Sequence, residues 1–183
     1  MRLALLLAVA VTLAACTGTN TEIRPIQQTP TLASSLRGET VAVLPFFGPN
    51  GPNAQDVVTR VLVGGAGVKL VSPSLVDNRL RVTGFRPSAY DVAALASLAK
   101  ELNASRLIWG VVTQFTPYRF DRLAPATPAY VEMRIDIFSA RSGDVSSALV
   151  NRQGALPLTI WDRQPTFDDV AFSAAADYFT SLR

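Results

Sequence analysis

The stretch YVEMRIDIF, from Tyr130 to Phe138, alternates between apolar and polar residues over most of its length. Successive side chains of a β-strand point to opposite faces of a sheet, so the pattern predicts a strand with one face on a core and one in water. The residues expected to face the core are Val131, Met133, Ile135 and Ile137, and those expected to face outward are Glu132, Arg134 and Asp136. The turn sequence SARSGD then predicts a hairpin, with its second strand over Val145 to Gln153. A chain built around such a strand must supply helices or a second sheet to cover the apolar face.

The remaining segments alternate between short β-branched runs and helical periodicity. The other predicted strands lie at 40–47, 67–73 and 106–115, and the predicted helical segments at 54–63, 74–81, 90–102 and 167–181. Two capping boxes support the third and fourth helical segments, Ser88 with Asp91 and Thr166 with Asp169. The order predicts a mixed α/β fold: β-α-β-α-β with parallel strands, then a β-hairpin at one edge, then a C-terminal helix, with helices packed on the sheet.

The N-terminus carries an apolar run of about 13 residues, which is too short to span a bilayer as a helix but typical of a signal peptide. It ends in Leu13-Ala14-Ala15-Cys16, which resembles the lipobox of bacterial lipoproteins. The resemblance implies that Cys16 is lipidated on sulfur, that the chain is cut between Ala15 and Cys16, and that the new amine is acylated. A multiply acylated cysteine is a stable membrane anchor. The alternative for this single cysteine is a buried, inert thiol in a core helix.

These features predict three regions. Residues 1–15 are a lipoprotein signal peptide, residues 16–38 are the lipidated cysteine and a flexible, turn-rich tether, and residues 39–183 are a periplasmic α/β domain. In enterobacterial lipoproteins, an aspartate after the cysteine retains the protein in the inner membrane. Thr17 stands there in this chain, so the resemblance favours the outer membrane, facing the periplasm.

Composition argues against several classes of function. The formal net charge of the whole chain is only +3 and no basic run occurs, so we expect no nucleic-acid binding. The chain has no histidine and one cysteine, which removes the commonest general base and the usual zinc ligands. We therefore expect no metal, no cofactor and no small-molecule substrate.

Several strings are similar to those of a group of periplasmic α/β lipoproteins. They are VAVLPF, VKLVSP, LASLAKELNASRLIWGVVTQF and VEMRIDIFSARSGDV. The group contains the penicillin-binding-protein activator lipoprotein and the curli secretion lipoprotein, and the N-terminal domain of the Tol–Pal translocation protein is comparable. The resemblance covers roughly residues 40–182 and implies a domain that binds protein partners. The matching strings are structural, so no catalytic residue is carried over.

An enzymatic interpretation finds little support. SLAK, from Ser97 to Lys100, matches the S-x-x-K of penicillin-binding enzymes, but it lies within a predicted amphipathic helix and no K-T-G follows. GGAG, from Gly64 to Gly67, follows a helix and precedes a strand, the reverse of a phosphate loop. We expect no enzyme, and a cell-wall hydrolase without recognisable motifs is the remaining enzymatic alternative.

Arginines and aromatic residues in loops are the candidate partner-binding residues, because these types are enriched at interfaces. They are Tyr118, Arg119, Phe120, Arg122 and Tyr130 in one loop, Arg81, Phe85 and Arg86 in a second, and Trp161 in a third. The alternative is that these side chains only pack over the edges of the hydrophobic core and bind no partner. The segment 116–129 is too short and proline-rich for a pair of membrane strands, so we expect no pore. The sequence thus predicts a non-enzymatic outer-membrane lipoprotein that recruits or regulates an envelope partner, or alternatively a homo-oligomeric subunit of an envelope assembly.

Overall fold

A computed structural model describes residues 19–27, 36–65, 67–84, 91–121, 124–157 and 163–182. The strands in these ranges are β1 (Thr21–Gln27), β2 (Thr40–Phe47), β3 (Lys69–Leu70), β4 (Arg106–Thr116), β5 (Arg119–Asp121), β6 (Ala124–Thr127), β7 (Tyr130–Ser139) and β8 (Val145–Gln153). The helices are α1 (Gly51–Gly65), α2 (Pro73–Thr83), α3 (Val92–Glu101) and α4 (Phe167–Ser181). None of the described helices is long and apolar enough to cross a bilayer.

Six strands form one mixed sheet in the order β1-β8-β7-β4-β2-β3. Strand β2 runs parallel to both β3 and β4, whereas the pairs β4–β7, β7–β8 and β8–β1 are antiparallel. Parallel neighbours need a crossover, which α1 supplies between β2 and β3. The predicted mixed α/β class, with parallel strands in the first half and a hairpin in the second, is confirmed.

Helices pack on both faces of this sheet. On one face, α1 and α4 enclose a core to which β7 contributes Val131, Met133, Ile135 and Ile137, all at most 1% exposed. On the other face, α2 and α3 enclose a smaller core with Leu44, Leu107, Trp109 and Phe138. Each large apolar side chain buried in this way stabilises the fold by about 2 kcal/mol. The predicted inward-facing set of β7 is confirmed.

The flexible tether expected over residues 16–38 is wrong for residues 21–27, which form β1 at the edge of the sheet. Strand β1 pairs antiparallel with β8, and Ile23 packs against the larger core. This strand was not predicted because its short alternating sequence, Thr-Glu-Ile-Arg, lies among turn-forming residues. A proline inside it is compatible with an edge strand, because one side of such a strand has no partner for the N–H.

Two local expectations also need correction. The segment 116–129, expected as a loop, contains a small antiparallel sheet of β5 and β6. Helix α1 begins at Gly51 rather than after Asn53, since the amide of Ala54 already bonds to the carbonyl of Asn50. Asp91 caps α3 by accepting hydrogen bonds from Ala93 and Ala94, while its predicted partner Ser88 lies outside the described residues. The capping box of Thr166 and Asp169 at α4 is confirmed.

Candidate partner-binding surface

The second helical layer covers only part of its face of the sheet. Helices α2 and α3 contact β2 and β4, and the core beneath them takes only Phe138 from β7 and Val145 from β8. Along the rest of β7, β8 and β1, no described helix packs over that face. We call this region the open face; its central residues are Glu22, Arg24, Glu132, Arg134, Leu149 and Asn151.

Strand register arranges the open face in two rows. Glu132 pairs with Asn151 and Asn151 with Glu22, so one row is acidic with an amide at its centre. In the next row, Arg134 pairs with Leu149 and Leu149 with Arg24, so two arginines flank a leucine. The open face therefore presents a negative row beside a positive one.

Hydrogen bonds within and between the rows hold these side chains in place. Arg24 Nε donates to Glu22 Oε1 at 2.7 Å, and Asn151 Nδ2 donates to Glu22 Oε2 at 3.3 Å. Glu132 accepts from the hydroxyls of Thr113 at 2.7 Å and Tyr130 at 3.2 Å. Each carboxylate is thus oriented before any partner arrives, which lowers the entropy lost on binding.

The electrostatics of the open face are those of a solvated surface. The hydrogen bonds from Arg24 and then from Asn151 hold the pKa of the Glu22 carboxyl below its ordinary value of 4.5. The Arg24 and Glu22 side chains are 63% and 51% exposed, and ion pairs in that setting add little to stability. Partial burial, and then the Glu132 carboxylate, raise the pKa of the Tyr130 phenol. The exposed charges of this face are therefore available for recognition without a large cost to the fold.

Asp136 lies on the predicted outward side of β7, beside Arg134, but its residue is fully buried instead of facing water. The Ser147 hydroxyl donates a short hydrogen bond to Oδ1, and Arg134 Nε donates to Oδ2 at 3.0 Å. A buried carboxylate is tolerated only with such partners. These bonds fix Arg134 in the second row of the open face, beside a cavity of about 480 Å³ whose walls include Ile26, Val92 and Ser147.

The predicted loop residues are dispersed. Tyr130 lies on the open face, the only described member of the predicted set that does. Tyr118 is half-buried against the larger core, Arg119 and Phe120 are exposed on β5, and Arg81 is exposed on α2, where it donates to Asn78 at 3.1 Å. The predicted residues outside the described ranges are Ala15, Cys16, Phe85, Arg86, Arg122 and Trp161.

Sequence reasoning missed β1 and the central residues of β8 as contributors to this surface. Glu132 and Arg134 are recognisable as outward-facing from the alternation of β7. Glu22 and Arg24 carry the same signal in the string TEIRP, where acidic and basic residues alternate with Thr21 and Ile23. Leu149 and Asn151 give no local signal, because their place depends on which strands flank β8.

No metal site is evident in the part of the chain that the structure describes. Within those residues, no three acidic, histidine or cysteine side chains lie close enough together to hold an ion.

The chain resembles known proteins in its fold rather than in its sequence. No protein-family model and no curated protein sequence matches the chain. Among solved structures, it is similar to a PelC dodecamer from Paraburkholderia phytofirmans, with 18% identity over 90% of this chain and 98% of that one and a TM-score of 0.55. Lipoprotein GNA1162 from Neisseria meningitidis is 14% identical over 78% and 98%, with a TM-score of 0.49. The LpoB C-terminal domain from Escherichia coli is 12% identical over 62% and 82%, with a TM-score of 0.42. The chain therefore shares the fold of PelC.

Proposed function

We propose that this chain is a non-enzymatic lipoprotein of the bacterial outer membrane whose periplasmic domain binds an envelope protein through the open face. The lipobox-like sequence ending at Cys16 supports the membrane anchor. The observation that carries the binding role is the pair of oppositely charged, hydrogen-bonded rows on a sheet face that no described helix covers. Resemblance to envelope lipoproteins suggests a peptidoglycan synthase or a secretion or appendage complex as the partner.

The chemistry of the open face suits protein recognition. Adjacent rows of opposite charge favour one orientation of a partner and disfavour others, so they give specificity more than affinity. Leu149 and Tyr130 add apolar surface at the centre and the rim, and tyrosine and arginine are residue types that anchor interfaces. A matching partner would present basic or amide groups to the glutamate row and acidic groups to the arginine row.

The non-enzymatic part of the proposal is supported by the placement of the one catalytic-looking motif. Ser97 and Lys100 are both exposed on the outer surface of α3. A nucleophile and its base work in a water-restricted cleft beside oxyanion donors, and an exposed helix surface offers neither.

Capture of partners from envelope extracts tests this function. The lipidated protein is compared with a Leu149→Asp/Tyr130→Ala variant, which puts a charge into the arginine row and removes the aromatic rim. We expect capture of the partner to fall about tenfold or more, as for residues central to an interface. Phe120→Ala is the matched control, because it removes an aromatic residue that is 59% exposed on a different surface.

Two results would contradict the proposal. Capture that survives the double variant but is lost with Phe120→Ala would move the interface to the β5–β6 hairpin. Turnover of cell-wall material by the purified protein, abolished by one carboxylate-to-amide change, would make it a hydrolase.

A homo-oligomeric assembly subunit is the second candidate function. It is favoured by the fold shared with PelC, which is described as a dodecamer and is similar over 90% of this chain. Sedimentation of the lipidated protein in detergent distinguishes the two, since a ring of many copies sediments far faster than a monomer or dimer.

A further inference from the structure

Strand β1 is an edge of the six-stranded sheet. It bonds to β8 on one side, and the described chain places no strand on its other side. Glu22, Arg24, Pro25 and Ile26 are all exposed. An edge strand presents a row of backbone donors and acceptors that another strand can extend.

The hairpin between β7 and β8 fixes which backbone groups of β1 point outward. The Ser139 amide donates to the Asp144 carbonyl at 2.9 Å, so odd-numbered residues of β7 bond to even-numbered residues of β8. Backbone groups alternate in direction along a strand, so odd-numbered residues of β8 point to β1. Their partners in register include Glu22 and Arg24, whose backbone groups are therefore used within the sheet.

Up to the register shift that follows Pro25, the other residues of β1 direct their backbone groups away from β8. These are Thr21, Ile23 and Pro25. Proline has no N–H to donate, and its presence in this set agrees with the position that proline takes on edge strands. The outward edge of β1 thus offers the N–H and C=O of Thr21 and Ile23 and the C=O of Pro25.

A second copy of β1 fits this edge in one antiparallel register. With the two Ile23 residues opposite each other, they exchange two hydrogen bonds, and each Thr21 amide meets the Pro25 carbonyl of the other copy. The same register puts Glu22 opposite Arg24 of the second copy, twice, as non-hydrogen-bonded pairs whose side chains lie closest together.

Neighbouring registers would place like charges opposite each other. Moving the pairing by two residues in one direction puts Glu22 opposite Glu22 of the second copy. Moving it in the other direction puts Arg24 opposite Arg24. Like charges directly opposite each other are destabilising, so the sequence of β1 selects the register centred on Ile23.

We propose that two copies of this chain associate through β1, edge to edge and antiparallel, so that their sheets become one continuous sheet across a two-fold axis. The contact is isologous, since each copy gives the same residues to it. Because Glu22 and Arg24 lie on the open face, the two open faces join into one surface in the dimer.

Charge exchange at two positions tests the register. The lipidated full-length mature protein is studied by sedimentation equilibrium in detergent, with micelles in excess over protein. We expect a dimer for the wild type. Glu22→Arg alone and Arg24→Glu alone each create two like-charged pairs and should weaken the dimer about tenfold or more. A mixture of the two variants should dimerise again, because every pair between unlike copies is then of opposite charge.

The mixing experiment separates association from folding, because a folding defect in either variant cannot be repaired by adding the other. Ile23→Pro is the second test, since it removes an outward N–H while leaving the bonds to β8. It should give a monomer, whereas Ile23→Ala, which loses similar packing but keeps the N–H, should remain a dimer.

Three outcomes would overturn the proposal. They are a wild-type monomer at every concentration, a dimer that the single charge variants leave unchanged, and a larger assembly that is indifferent to positions 22 and 24. None of these bears on capture of a heterologous partner, which is measured with changes at positions 130 and 149.

Discussion

Gly110 shows how a single position fixes the contact between β4 and its neighbours. A Cβ atom at this residue would lie 2.3 Å from the backbone oxygen of Arg134 and 2.4 Å from the Phe46 ring. Neither group has room to move, because one is backbone in β7 and the other is a core side chain that is 3% exposed. Only glycine leaves room for the Phe46 ring at this point of the strand.

Replacing Gly110 should therefore overpack the core. We expect Gly110→Ala to lower the free energy of unfolding by about 3 kcal/mol, at the upper end for overpacking. Urea denaturation of the purified domain measures it. Gly64→Ala is the control, since a Cβ at that helical glycine meets nothing within 4 Å and should be neutral or slightly stabilising. Equal effects at both positions would show that the close approach at Gly110 is not what constrains it.

At the level of elements, helix α4 is held at its first turn by a reciprocal cap. The Thr166 amide donates to Asp169 Oδ2 at 2.8 Å, and the Asp169 amide donates to the Thr166 hydroxyl at 3.4 Å. The backbone hydrogen bond from Thr166, and then its hydroxyl, lower the pKa of the Asp169 carboxyl from 3.8. The helix also carries Asp168 in its first turn, where a carboxylate interacts favourably with the helix dipole.

This cap predicts a pH-dependent contribution to stability. Folding lowers the pKa of Asp169, so its stabilisation is complete above 3.8 and is lost as the pH falls through the lower folded value. We expect Asp169→Ala to cost about 1 kcal/mol at neutral pH. The gap to the wild type should narrow in acid, as followed by thermal unfolding from pH 7 downward. A gap that stays constant with pH would mean that the carboxylate charge plays no part in the cap.

The elements that local signals define are the ones that the sequence predicts well. Helix α4 and strand β8 occur at their predicted bounds, because a capping box marks the start of the helix and the turn after the alternating strand β7 marks the start of β8. Strand β1 escapes prediction because its pairing partner lies more than a hundred residues away. The exposure predicted for Asp136 is wrong for a similar reason, since its hydrogen-bond partner Ser147 comes from another strand, β8.

At the level of the whole molecule, the open face arises because the two helical layers cover different widths of one sheet. Its existence follows from the β7 alternation, which predicts one wet face, and that much is visible in the sequence. Its composition depends on strand order, since β8 and β1 complete the rows that β7 begins. For this reason, the sequence predicts loop aromatics such as Phe120 as partner-binding residues and does not single out Glu22 and Arg24.

The anchor proposed for the whole molecule is tested at Cys16. We expect Cys16→Ser to release the protein from the membrane fraction, because the serine hydroxyl cannot form the thioether that carries the lipid. Fractionation with immunoblotting measures it, and mass spectrometry of the wild type should show an acylated N-terminal cysteine. An unmodified thiol on a membrane-bound protein would disprove this mode of attachment. Gly64→Ala serves again as the control, since it should remain membrane-bound.

The position of β1 sets how the domain would sit at its membrane. Only five peptide links separate Cys16 from Thr21, and a chain of that length spans at most about 17 Å. With the anchor proposed at Cys16, a domain held so closely would explore a thin layer above the lipid headgroups rather than the depth of the periplasm. Encounters with other membrane-bound molecules would then take place at high effective concentration, whereas a partner deep in the cell wall would itself have to extend to the bilayer.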